Sequence, residues 1–172
     1  MNLLKLTSGV WLWYAVAAFI AIADQLTKSW ASAALDLHET YTISSFFNFT
    51  LRHNYGAAFS IFADGSGWQR WFLGILAAAV SVLLIVWIAR LEKKNWLEAC
   101  ALALVLGGAV GNLYDRVLLG YVVDFIVVHY EYHAWPAFNI ADSAICVGAV
   151  LLIYDAIFVK KNDVQKSVNN DG

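Results

Sequence analysis

The stretch from Trp71 to Ala89, WFLGILAAAVSVLLIVWIA, runs for nineteen residues without a charge. A helix rises about 1.5 Å per residue, so roughly 20 apolar residues carry it across the hydrocarbon core of a bilayer. No water reaches backbone N–H and C=O groups there, and a spanning segment must close its own hydrogen bonds as helix or closed barrel. Three more runs obey the same constraint. One starts near Val10 and continues through VWLWYAVAAFIAIA; one starts near Trp96 and includes ACALALVLGGAVGNLY; one covers about Phe138 to Val159. The expected spans are about 10–30, 69–89, 96–115 and 138–159. Composition fits: 61% of the 172 residues are hydrophobic and 14% charged, where soluble domains run near half and a quarter.

Lys5, an apolar core and Ala21-Ile-Ala23 give the first run some features of a cleaved signal peptide. Three later spans and the helical continuation DQLTKSW favour a retained helix. Lys and Arg concentrate on the cytoplasmic side of short loops. With the N-terminus inside, Lys5, Arg90, Lys93, Lys94, Lys160, Lys161 and Lys166 are all cytoplasmic, seven of the eleven basic residues. Both termini are then inside, as an even number of spans requires. The outer segments, about 36–67 and 117–137, contain TYTISSFFNFTLRHN and GYVVDFIVVHYEYHAW. Both are β-branched and aromatic and read as strands of a small sheet at the membrane–water boundary. YGAAFSIF reads as a short interfacial helix and a candidate lid. Residues 1–159 form one membrane-embedded domain, and 160–172 a polar, disordered cytoplasmic tail. We expect a monomer.

A net charge of −2 and the lack of a basic stripe argue against a nucleic-acid partner. Cys100 and Cys146 lie in apolar runs and read as small buried hydrophobes. His129 and His133 have zinc-like spacing only on a helix, and their stretch reads as strand; no metal and no cofactor are expected.

Ionisable groups at membrane depth need a reason to be there. Asp155, near Lys160 and Lys161, reads as a solvated helix end. Asp24 and Lys28, four apart, suit a structural ion pair on one helix face. Asn139 and Asp142 share a face of the fourth span, as do Asn112, Asp115 and Arg116 on the third, after Gly107, Gly108 and Gly111. One reading is a polar packing seam, since small residues let helices approach closely. The other pairs Asp124, in YVVDF, with Asp142 at the outer surface. Two carboxylates in one site hold a proton between them and can activate water. Alternatives of other classes are a small transporter or channel using the aspartates as ion or proton sites, and an assembly protein built on the seam.

Five stretches in order, DQLTK (24–28), NYGAAFS (54–60), GGAVGNLYDR (107–116), VVDF (122–125) and FNIADS (138–143), resemble the lipoprotein signal peptidase (signal peptidase II) family of bacterial inner membranes. The resemblance implies an all-α integral membrane fold of four helices, with a small periplasmic β-cradle and a short periplasmic helix. It implies an aspartyl endopeptidase with Asp124 and Asp142 as catalytic dyad at the periplasmic face. Its substrates would be diacylglyceryl-modified prolipoproteins held in membrane lipid and cut just before the lipidated cysteine. Asn54, Gly108, Asn112, Arg116, Asn139 and Ala141 would line or position substrate; Asp24, Lys28 and Asp115 would support the structure. The family is the target of the antibiotic globomycin.

Overall fold

The computed structural model describes residues 9–56, 67–131 and 133–159. Four of its helices are long and apolar enough to cross a membrane. They are α1 (Val10–Ala34), α2 (Trp68–Arg90), α3 (Trp96–Leu118) and α4 (Ile140–Tyr154), the last prolonged by a π-helical turn, Asp155–Val159. Strands β1 (Thr40–Ser44) and β2 (Phe47–Asn54) lie between α1 and α2; β3 (Val122–Tyr130) and β4 (His133–Ala134) lie between α3 and α4. The tail and most of the YGAAFSIF segment fall outside the described residues.

Helix α3 is central: 61% of its apolar window is buried, against 17–22% in the other three. Its glycines explain how. A Cβ on Gly107 would lie 2.6 Å from the Ala17 carbonyl of α1, and one on Gly111 2.6 Å from Asp24 Oδ2. On the opposite side, a Cβ on Gly108 would collide with the Ala141 carbonyl of α4. Gly148 of α4 returns the contact, with its absent Cβ 2.7 Å from the Ala101 carbonyl. Between helices in lipid, such close approach replaces the hydrophobic drive that water would supply. At the other end of the bundle, Val10, Leu84, Ile88, Leu102 and Leu106 form a buried apolar cluster.

The α1–α2 and α3–α4 connections combine into one sheet, ordered β1-β2-β3-β4 and antiparallel throughout. Aromatic rings dock it on α1: Trp30 packs edge-on against Phe49 at 5.3 Å and Phe125 at 6.3 Å between centroids. Phe138, just before α4, joins β3 through hydrogen bonds of 2.9–3.0 Å with Phe125 and Ile126. The chain therefore starts α4 beside β3, not beyond it.

Two single-residue readings need correction. Asp155 is 5% exposed, so it is not a solvated helix end; the π-helical turn carries its side chain inward. Cys100 is only half-buried and Cys146 exposed, because α4 turns one face to α3 and Cys146 lies on another.

Candidate active site

The site forms where the C-terminal end of α3, the start of α4 and the β2–β3 pair meet. Asn139 caps α4 in a reciprocal box: its Oδ1 accepts from Asp142 N at 2.9 Å, and Asp142 Oδ2 accepts from Asn139 N at 3.3 Å. The box satisfies N–H groups the first helical turn leaves unpaired and fixes the Asp142 rotamer. The Asn139 side chain also donates to Asp124 Oδ1 at 2.7 Å and to Asn112 Oδ1 at 3.2 Å. One residue thus holds both carboxylates, one through its side chain and one through its backbone.

Each aspartate has a further clamp. Asn54, at the end of β2, donates to Asp124 Oδ2 at 3.0 Å. Asn112 donates to Asp142 Oδ1 at 2.8 Å. Asp124 is 2% exposed. Burial, and after it the charge of Asp142, pushes its carboxyl up to about 7, against the opposing pull of the Asn54 and Asn139 hydrogen bonds and of Lys28. This is how two carboxylates in one desolvated site behave: the pair retains a proton near neutral pH.

Beneath the pair lies a closed ionic layer. Lys28 Nζ donates to Asp24 Oδ2 (2.8 Å), Asp115 Oδ2 (2.9 Å) and Asn112 Oδ1 (2.8 Å). An ammonium has three protons, and all three are used. Asp24 Oδ1 accepts from Ala141 N at 2.9 Å, and Asp115 Oδ2 from Val123 N at 3.1 Å. The layer therefore fastens α1, α3, α4 and β3 to one another. With Lys28, Asp24 and Asp115 each 3% exposed or less, removing one partner would strand a buried charge.

The site residues that the resemblance implied all lie in this region, with different roles. Asn54, Asn112 and Asn139 touch the carboxylates. Arg116 points away from Asp115 and donates to the carbonyls of Gly56 (3.1 Å) and Asn112 (3.3 Å). Gly108 and Ala141 form the α3–α4 contact below the carboxylates rather than polar contacts with them. His129 and His133 lie on strands. Among the described residues, no three His, Cys, Asp or Glu side chains are grouped to hold a metal ion.

Gln25 has a part that its place in DQLTK did not reveal. Its Nε2 donates to Asp115 Oδ1 (2.8 Å), Gly111 O (3.1 Å) and Asp24 Oδ2 (3.3 Å). The available signal was a second uncharged polar residue at membrane depth beside Asp24. Gly56 is a second omission; it acts through its backbone, its carbonyl accepting from Arg116 and its N–H donating to Asn54 Oδ1 at 3.0 Å, and side-chain chemistry cannot announce that.

The family model for signal peptidase (SPase) II matches residues 16–158. A lipoprotein signal peptidase of Teredinibacter turnerae is 69% identical over 149 residues, covering 87% of this chain and 89% of that protein. One of Cellvibrio japonicus is 59% identical over 151 residues, covering 88% and 89%. A solved bacterial membrane enzyme superposes with a TM-score of 0.79 at 31% identity, covering 94% of this chain and 96% of that one.

Proposed function

The chain belongs to the signal peptidase II family, which makes it an aspartic-type peptidase of a membrane, and from that premise we propose that Asp124 and Asp142 are its catalytic dyad. The observation that carries the assignment is Asn139, which holds the buried Asp124 and the half-buried Asp142 in one site. Asp124, with its carboxyl near 7, seats the shared proton. Asp142 takes a proton from a water molecule as its oxygen attacks the scissile carbonyl carbon. Asp124 gives its proton to the carbonyl oxygen. As the tetrahedral intermediate collapses and the C–N bond breaks, one of its hydroxyls returns a proton to Asp124 and the leaving nitrogen takes the proton held by Asp142.

The substrates in this reading are prolipoproteins carrying diacylglyceryl on the cysteine that becomes the new N-terminus, with the cut just before it. Each buried CH₂ of the acyl chains contributes about 0.8 kcal/mol to membrane attachment. Attachment holds the scissile bond at the level where α3 ends and α4 begins, which is proximity catalysis. Asn54, Asn112, Asn139 and Arg116 position substrate and dyad. Gly108 and Ala141 set the helix spacing, and Asp24, Lys28 and Asp115 support the floor. The basic residues at the α2–α3 turn and in the tail favour cytoplasmic termini and a periplasmic active site in the inner membrane. We take residues 1–159 as one peptidase domain acting as a monomer.

Purified protein is given a prolipoprotein with and without its diacylglyceryl group, and the products are weighed by mass spectrometry. A cut before the cysteine in the lipidated form alone supports the reading. Equal cutting of both forms, or a cut elsewhere, contradicts it.

A further inference from the structure

A helix leaves its last carbonyls without intrahelical partners. In α3, Asp115 O is served by the N–H groups of Leu119 (2.7 Å) and Gly120 (3.2 Å). The next two carbonyls are taken from another helix. Arg70, in the first turn of α2, donates from Nε to Arg116 O at 2.7 Å and from Nη2 to Val117 O at 2.6 Å. Its guanidinium lies 5.0 Å over the Trp71 ring and against Gly120. There, a φ of +89° and the missing Cβ leave it room; an added Cβ would lie 3.3 Å from Nη1. The rigid guanidinium fork matches two successive carbonyls in a way that the point charge of lysine does not. A cation is also favoured at the C-terminal end of a helix dipole.

The residue whose carbonyl Arg70 grips is the one whose side chain reaches the site. Arg116 ties Gly56, just past β2, to the backbone of Asn112. Asn112 in turn holds Asp142 and Lys28. We propose that Arg70 is a positioning residue of the peptidase, acting through Arg116: by fixing the last turn of α3 it aims the Arg116 guanidinium at Gly56 and Asn112. The inference rests on the peptidase reading above and adds a residue that touches neither carboxylate.

The test is a double-mutant cycle on kcat/KM with Arg70→Gln, Arg116→Gln and the double variant, after wild type is shown to cleave. Each single change is expected to lower kcat/KM by about tenfold or more. The double variant is expected to be no worse than Arg116→Gln, a coupling of about tenfold, within the range that interacting residues show. In Arg70→Gln the acid limb of the pH–rate profile should also move to higher pH, because a cation drawn away from carboxylates makes their ionisation harder. Losses that multiply, or full activity in Arg70→Gln, would overturn the proposal. Arg70→Lys keeps the charge without the fork and should remain below wild type; complete rescue would overturn the fork. A second readout needs no substrate. The Arg116 Nε–H resonance in ¹⁵N-arginine-labelled protein should shift or broaden in Arg70→Lys. An unchanged resonance overturns the coupling even if wild type fails to cleave, a failure that would itself refute the functional reading.

Discussion

Replacing Asp124 with Asn should make the protein's stability less dependent on pH, in a direction the structure specifies. In the unfolded chain this carboxyl titrates near 3.8; folded, burial and the charge of Asp142 raise it to about 7. Between those values the native state keeps a proton that the unfolded state has released. Stability is then lost as pH rises, by about 1.4 kcal/mol per pH unit, and levels off above 7. From pH 5 to pH 8.5 the wild type should lose about 3 kcal/mol through this one group. Asp124→Asn has no such proton. It carries a constant defect instead: Asn54 and Asn139 both donate to Asp124, and an amide offers one oxygen for two donors. One unsatisfied buried donor costs about 1–3 kcal/mol. The variant should therefore be the less stable protein at pH 5 and draw level with or pass wild type at pH 8.5. Unfolding of both proteins in one detergent across that range measures the difference, in which groups remote from the dyad cancel. A stability difference that stays flat with pH would refute the reasoning, because Asp124 would then be an ordinary carboxylate.

Other perturbations follow from the same contacts. Gly108→Val forces a side chain against the Ala141 carbonyl and should cost about 1–3 kcal/mol and most of the activity. Gly74→Ala, whose new Cβ would lie 3.9 Å from Leu113 Cδ1, should leave thermal unfolding and turnover unchanged. Lys28→Met leaves Asp24 and Asp115 without their shared ammonium and should destabilise by about 3–5 kcal/mol in detergent unfolding. Asn54→Ala removes a hydrogen bond that favours ionised Asp124. The titration of the dyad should shift to higher pH in the pH–rate profile.

Much of this was legible in the chain. Long apolar runs have one stable solution in a bilayer, so all four spans could be read, although α1 and α3 extend to Ala34 and Leu118, beyond the expected ends. Helix α1 holds Asp24 and Lys28 inside because their charges pair there, Lys28 with Asp115 as well. Alternation of β-branched and aromatic residues marked the strands. It gave one small sheet from both segments but not the strand order or the pairing, since register depends on partners far apart in sequence. The same limit applies to the site. Spacing placed Asn139 and Asp142 on one face, but not as a reciprocal cap that also reaches Asp124. The grip of Lys28 on Asn112 spans 84 residues and that of Arg70 on Arg116 spans 46. No local pattern encodes either. Asp155 was misread because a charge near a helix end is ordinarily solvated, and the π-helical turn that buries it has no clear sequence mark.

The central claim is that Asp124 and Asp142 together perform the cleavage. The most direct measurement is a gel-shift assay of a diacylglyceryl prolipoprotein with wild type, Asp124→Asn and Asp142→Asn, all shown to be folded in the same detergent. The account predicts cleavage by wild type and none by either variant. Full cleavage by either folded variant would contradict it.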